Sequence, residues 1–162
     1  MTAISIAPAG PEDAVAMASL LEEMDHFYGD DITESAEERI RQINDALFAT
    51  PPAAYALLAW DKEQLAGLAA YSFVWPAVGL TRSLYLKELY VAERHRSQGV
   101  GQLLMQALFD LAGKCGCSRV EWTTDHSNVG AQAFYSQLGV SAHPSKIFYR
   151  VEDTGQGFHL PH

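Results

Sequence analysis

The sequence is poor in cysteine, in positive charge and in long apolar runs, and each scarcity excludes a class of protein. Its two cysteines, Cys115 and Cys117, lie too close for an ordinary structural disulfide and lack partner ligands for zinc, which predicts reduced thiols in a cytoplasmic protein. Lysine and arginine total 11 against 20 acidic residues, and the net charge of −9 argues against binding to nucleic-acid phosphates. The chain has no apolar run of about 18 residues and no signal-peptide pattern, so neither a membrane span nor export is predicted.

Apolar side chains are abundant: they make up 48% of the 162 residues, while charged side chains make up 19%. This composition and length suffice for one good core and are short for two, so a single domain over residues 1–162 is predicted. Residues 155–162 show no strong periodicity, and two alternatives stay open for them: a mobile tail, or a segment packed on a partner subunit. The acidic surface favours a cationic partner such as an amine, although solubility alone also explains it.

Hydrophobic periodicity predicts helices that alternate with strands. Pro11 and the acids after it begin an amphipathic helix that ends near Gly29, and Ser35 with Glu38 forms a capping box before a second helix. Apolar and aromatic runs predict strands at Tyr55 to Trp60, Leu65 to Trp75, Leu84 to Val91, Arg119 to Thr124, and a last pair within Val140 to Arg150. This alternation indicates an α/β fold around a mixed sheet.

The run Arg-Ser-Gln-Gly-Val-Gly at residues 96–101 lies between a predicted strand and a predicted helix. Small residues let the backbone approach a ligand closely, and the free N–H groups at the start of a helix favour an anion. The run therefore predicts a phosphate cradle, for which we infer a pyrophosphate ligand. The residues assigned to the cradle are Arg96, Ser97, Gln98, Gly99, Val100, Gly101 and Gln102.

Two commoner phosphate loops do not fit this run. A Walker loop ends in glycine, lysine and serine or threonine, whereas Gly101 is followed by Gln102 and Leu103. The dinucleotide fingerprint requires a third glycine at the position that Leu104 occupies. What remains is the pattern Arg-x-x-Gly-x-Gly at a junction between a strand and a helix.

A second motif follows downstream, with the spacing N-x-x-A-x-x-F-Y-x-x-L-G. Its residues fit one helix, with Asn128 as the N-cap and Gly139 in the left-handed position that ends the helix. The positions between them fall on neighbouring turns of that helix: Ala131, Phe134, Tyr135 and Leu138.

Together and in this order, the two motifs resemble the coenzyme A site of the GNAT family of N-acetyltransferases. The resemblance implies a GNAT fold, in which a mixed central β-sheet with splayed strands is flanked by helices on both faces. It also implies acetyl-CoA as the cofactor without a metal, and a homodimer, since dimers are frequent in the family. The contacts to the pantetheine arm fall on Asn128, Ala131 and Phe134, and on the main chain of Leu89, Tyr90 and Val91.

The activity implied by the resemblance is direct transfer of an acetyl group to a primary amine within a ternary complex. No cysteine or serine stands in a recognisable nucleophile setting, which agrees with direct transfer. In the family a tyrosine protonates the departing thiolate, and this general acid falls on Tyr135. A base must take a proton from the amine, and Glu88 is the carboxylate near the middle of the splaying strand.

The strand YLKELYV at residues 85–91 is similar to the YLEDFFV-type strand of the diamine acetyltransferase branch. Lys87 stands where that branch has a glutamate, and Glu88 follows it. Because adjacent strand residues point to opposite faces, Glu88 replaces the missing carboxylate if a bulge or a water relay turns it towards the cleft. A water chain, or loss of the proton before the amine binds, are the alternatives.

The acceptor predicted from this pattern is a small-molecule amine, with a protein or peptide amine as the alternative. An enzyme is expected, and a non-catalytic acyl-CoA sensor is the competing interpretation. A sensor would need the cradle and Asn128, but neither Tyr135 nor a base.

Overall fold

The computed structural model describes residues 3–161, and over that span it contains five strands and four α-helices. Their bounds are β1 Ile4–Pro8, α1 Ala14–Tyr28, α2 Ala36–Leu47, β2 Tyr55–Asp61, β3 Gln64–Val74, β4 Ser83–Val91, α3 Val100–Lys114, β5 Arg119–Trp122 and α4 Val129–Gln137. The strands form one sheet in chain order, with β1 to β4 antiparallel and β5 parallel to β4. The predicted α/β fold with a mixed sheet is therefore confirmed.

The first helix ends and the second begins where the sequence predicted, whereas α1 itself begins at Ala14, after a 3-10 turn at Pro11–Asp13. Ahead of α1, the N–H of Gly10 donates to the Asp13 carboxylate at 2.8 Å, and Gly29 at φ 75° ends the helix in the left-handed conformation. The Oγ atom of Ser35 accepts the N–H of Glu38 at 3.1 Å and so caps α2. Among the described residues, no helix has the length and apolarity that crossing a membrane requires.

The sheet of residues 1–123 carries helices on both faces. On one face, Leu58, Leu68 and Tyr90 are buried in a core with residues of α1 and α2. On the other face, Gly67 of β3 lies against the side chains of Val100 and Leu104 of α3. Because successive strand residues alternate between faces, both sides of β3 are buried from Leu65 to Ala69.

The chain divides into two compact units, residues 1–123 and 124–162. In the second unit, the regular element within the described residues is α4. The last strand pair predicted within Val140 to Arg150 is wrong, because that segment is non-repetitive and Ile147, Phe148 and Tyr149 are 76%, 60% and 84% exposed. Apolar and aromatic residues give a segment a propensity for β-structure, but a strand also needs a neighbouring strand with which to form hydrogen bonds.

The two edge strands of the sheet also differ from what the sequence predicted. The strand β1 was missed, although the alternation of Ile4 and Ile6 with small residues is a strand signal, and its partner β2 lies some fifty residues away. At the other edge, β5 ends at Trp122 rather than at Thr124. Residue 162, at the end of the predicted tail, lies outside the described residues.

Replacing Gly67 tests the close approach of β3 to β4. A methyl group there would lie 2.9 Å from the Tyr90 carbonyl oxygen, and since that atom is main chain, the strands must move. We expect Gly67→Ala to lower the free energy of unfolding by about 1–3 kcal/mol in urea titrations. The control is Gly113→Ala in α3, where a methyl group meets nothing within 4 Å. The control should raise stability by up to about 1 kcal/mol, and equal effects of the two changes would contradict the close approach.

Candidate functional site

The strands β4 and β5 separate part of the way along the sheet. Ser83–Leu86 of β4 pair in parallel with Arg119–Trp122 of β5. This pairing uses the whole of β5, which ends at Trp122. β4 continues to Val91, and it stays paired with β3 over this extension. The far edge of residues 87–91 is thus not paired with β5, which is the splay that the family resemblance implied.

The backbone direction along this open edge follows from the ladder with β3. The N–H of Ala92 donates to the carbonyl of Ala66 at 2.8 Å, and the Tyr90 carbonyl oxygen is the atom nearest to a Cβ built on Gly67, at 2.9 Å. Since backbone groups alternate in an antiparallel ladder, those of Leu89 and Val91 point away from β3. The backbone groups of Leu89 and Val91 are therefore not used by β3, whereas the backbone of Tyr90 faces β3.

The cradle follows at the start of α3. Ser97 and Gly99 both adopt left-handed backbone conformations, with φ of 62° and 80°. The first backbone bond of the helix runs from the N–H of Leu103 to the carbonyl of Gly99 at 3.1 Å, so helix geometry leaves the N–H groups of residues 100–102 without an intrahelical acceptor. Such amides, with the positive end of the helix dipole, form an anion site.

A groove of about 370 Å³ runs beside these amides. It is lined by Gln98, Gly99, Gln102, Leu103 and Gln106, so the predicted cradle residues Gln98, Gly99 and Gln102 meet on one surface. A Cβ atom at Gly99 would have no neighbour within 4 Å, which leaves room for a ligand against the backbone. In the part of the chain that the structure describes, no cluster of metal-ligating side chains accompanies the groove.

The side chain of Arg96 turns from the cradle towards β4 and α1. Its Nη2 atom donates to the Tyr90 hydroxyl at 3.2 Å, and its Nε atom donates to the Val91 carbonyl at 3.4 Å. Its guanidinium carbon lies 4.3 Å from the centre of the Phe27 ring, a cation–π geometry. The predicted cofactor residue Arg96 thus has a side chain engaged by the protein itself.

The hydroxyl of Tyr90 links this arginine to Glu23 of α1. It donates to the Glu23 Oε2 atom at 2.6 Å, and the N–H of Glu93 donates to the same oxygen at 3.2 Å. Burial, followed by the hydrogen bond to Glu23, raises the pKa of Tyr90 to about 12, so the phenol keeps its proton at neutral pH. Sequence analysis missed Glu23 and Phe27, because no local signal marks one carboxylate or one ring on an amphipathic helix.

A second pair supports the turn that leads into the cradle. His95 is 4% exposed, and its Nε2 atom lies 3.1 Å from the Asp61 Oδ2 atom at the end of β2. The Nδ1 atom of His95 is buried and has no hydrogen-bond partner among the described residues. Asp61 was also not predicted, since it lies at the end of a strand far from residue 95 in sequence.

The predicted base lies next to a β-bulge in β4. Ala70 pairs with Glu88, whereas the next residue, Tyr71, pairs with Leu86, so Lys87 has no opposite residue. Lys87 is exposed, and the half-buried Glu88 lies on the same face of the sheet as Tyr90. Of the two conditions named for Glu88, a bulge or a water relay, the strand contains the bulge.

The second unit contains the remaining predicted site residues. The Oδ1 atom of Asn128 accepts the N–H of Ala131 at 3.0 Å, which confirms Asn128 as the N-cap of α4. The helix spacing is also confirmed: one half-buried stripe consists of Ala131, Phe134, Tyr135 and Leu138. The rings of Phe134 and Tyr135 lie 5.2 Å apart, and Gly139 ends the segment at φ 84°. Because the cap uses Oδ1, the Nδ2 group of Asn128 is the one suited to donate to a ligand carbonyl.

Comparison with known proteins agrees with these features. Residues 17–140 match the model of a family described as "Acetyltransferase (GNAT) family". A D-amino-acid N-acetyltransferase of Saccharomyces cerevisiae is 33% identical over 98 residues, which are 59% of this chain and 60% of the relative. The match thus spans less than two thirds of that relative's length.

Solved structures share the fold over almost the whole chain. A Vibrio cholerae integron cassette protein superposes with a TM-score of 0.86 and 26% identity, covering 96% of this chain and 95% of its own. An aminoglycoside N-acetyltransferase solved in complex with CoA superposes with a TM-score of 0.76 over 94% of this chain and 97% of its own, at 17% identity. The predicted fold class is confirmed by these superpositions.

Proposed function

The chain belongs to the acetyltransferase (GNAT) family, and from that membership we propose that it transfers an acetyl group from acetyl-CoA directly to a primary amine. Members of this family use acetyl-CoA. The observation that carries the proposal is the open edge of β4 leading into the amides of α3, because an acyl-pantetheine arm and its pyrophosphate need those two surfaces in that order.

The proposed cofactor site combines backbone and side-chain contacts. The backbone of Leu89 and the N–H group of Val91 pair with the amides of the pantetheine arm, while the cradle backbone binds the pyrophosphate. Left-handed residues at Ser97 and Gly99 shape the turn, and the amides of residues 100–102 supply the donors. By the family resemblance, Asn128, Ala131 and Phe134 contribute further pantetheine contacts.

The reaction needs two proton transfers. The nitrogen lone pair of a neutral amine attacks the thioester carbonyl, a C–N bond forms, and the C–S bond breaks with its electron pair on sulfur. We assign Tyr135 as the donor that protonates the departing thiolate, and Glu88 as the acceptor, directly or through water, of the proton that the amine loses. The half-buried position of Glu88 beside the bulge supports this assignment.

The acceptor we propose is a small-molecule amine. Two similar proteins are named for amine acceptors, namely D-amino acids and aminoglycosides. The net charge of −9 attracts a protonated amine to the surface of the protein. A protein or peptide amine is the alternative acceptor, and a homodimer in the cytoplasm is the assembly and location that we propose for the enzyme.

The first test measures both acetyl-CoA binding and turnover, in the wild type and in variants of Gly99. We expect the wild type to bind acetyl-CoA and to release free thiol with at least one class in a panel of amino acids, amino sugars, polyamines and peptides. Gly99→Asp should abolish binding, because its carboxylate occupies the anion site. Gly99→Asn is the matched control, since it has a similar size and also tolerates φ 80° but carries no charge. Equal affinity in Gly99→Asp and Gly99→Asn would refute the cradle, whereas binding without any turnover would favour a sensor.

The role of Tyr135 is tested by Tyr135→Phe. Loss of a proton donor used in the transition state should lower kcat by about 100-fold or more and leave the calorimetric affinity for acetyl-CoA nearly unchanged. The ring is retained, so the packing against Phe134 is preserved. An unchanged kcat would remove Tyr135 from the mechanism.

The role of Glu88 is tested across pH with Glu88→Gln. At low pH the amine is mostly protonated and needs a base, whereas at high pH more of it is neutral in solution. We expect kcat/KM to fall most at low pH, with Lys87→Gln at the exposed bulge residue as the control. A pH profile parallel to that of the wild type would favour a water chain instead.

A further inference from the structure

We propose that Arg96 is a positioning residue, which connects helix α1 to the cofactor cradle through Glu23, Phe27 and Tyr90, and that its side chain is not a phosphate ligand. The inference rests on the proposed function, because it concerns how the acetyl-CoA site is held in place. It assigns a role in cofactor affinity to two residues of α1, Glu23 and Phe27.

The first step is the orientation of the guanidinium group. A phosphate ligand would present its fork of N–H donors to the groove, whereas the Nε and Nη2 atoms of Arg96 donate to Val91 and Tyr90. The guanidinium carbon lies 4.3 Å from the ring centre of Phe27 and 5.6 Å from that of Tyr90. The cation is therefore held between an α1 ring and the end of β4.

The second step is the polar chain that surrounds the guanidinium group. The Tyr90 hydroxyl accepts from Arg96 and donates to Glu23 at 2.6 Å, so opposite charges compensate each other through one phenol. Since the pKa of Tyr90 is raised to about 12, first by burial and then by Glu23, this donor persists at neutral pH. The guanidinium group is thus one member of a chain of hydrogen bonds that ends on a carboxylate of α1.

The contacts of Arg96 and Glu23 hold two parts of the proposed cofactor site together. Arg96 binds the Val91 carbonyl on the open edge of β4, and Glu23 binds the N–H of Glu93 in the turn before the cradle. Glu23 and Phe27 are four residues apart in α1, so they lie on one face of the helix. Through these contacts, one face of α1 holds the end of the open β4 edge and the start of the cradle in place.

Calorimetric titration with CoA tests the inference through the contrast between arginine and lysine. Lysine keeps the positive charge but cannot donate to Val91 and Tyr90 in the same planar geometry. We expect Arg96→Lys to weaken CoA binding nearly as much as Arg96→Ala, each by about tenfold, or 1.4 kcal/mol. Affinity close to wild type in Arg96→Lys, with a clear loss in Arg96→Ala, would show a phosphate contact by charge and overturn the inference.

The α1 partners supply the second readout. Glu23→Ala and Phe27→Ala should each weaken CoA binding several-fold, and Glu23→Ala combined with Arg96→Ala should lose little more than Arg96→Ala alone. The matched control is Glu22→Ala, which removes an exposed neighbouring acid and should leave affinity unchanged. Unchanged affinity in Glu23→Ala and Phe27→Ala, or losses that add fully, would overturn the inference.

Thermal unfolding of every variant shows whether a loss of affinity reflects a loss of fold. Any variant that unfolds is replaced by the conservative Glu23→Gln or Phe27→Leu. Failure of the wild type to bind CoA would refute the proposed function itself. Wild-type binding with the wrong variant pattern would refute this inference alone.

Discussion

The constraint on which the rest of this structure depends is the unequal pairing of β4. One edge of the strand is paired with β3 along its length, while the other edge is paired with β5 only at Ser83–Leu86 within the described residues. A sheet that stayed fully paired would leave no free main-chain donors or acceptors between these strands. The separation therefore exposes the backbone of Leu89 and Val91 directly ahead of the amides of α3.

A β-bulge at Lys87 changes which side chains of β4 point to each face of the sheet. Before the bulge, Leu84 and Leu86 are buried opposite Phe73 and Tyr71, and after it Glu88 shares the face of Tyr90. With uninterrupted alternation, Glu88 would share a face of the sheet with Leu84 and Leu86. The bulge places Glu88 on the opposite face. The same face carries the buried phenol of Tyr90, through which Glu23 of α1 reaches Arg96.

Local patterns predicted the parts of the fold that depend on neighbours in sequence. The Ser35 cap, the glycine that ends α1 and the Asn128 cap were all correct, because each is satisfied within one helical turn. The final strand pair was wrong, since pairing depends on a partner that propensity does not specify. The strand β1 was missed for the same reason, because its partner β2 is distant in sequence.

The sequence by itself determined the family and the fold class, because two spaced motifs and their flanking elements are local properties of the chain. It also identified Glu88 as the acid of the strand, together with the condition that a bulge or a water relay would be needed. Only the tertiary structure decided where β4 and β5 part, that Lys87 forms the bulge, and that Arg96 lies against Phe27 and Tyr90. These features are contacts between residues far apart in sequence, and they are set by packing and register rather than by local conformational preference.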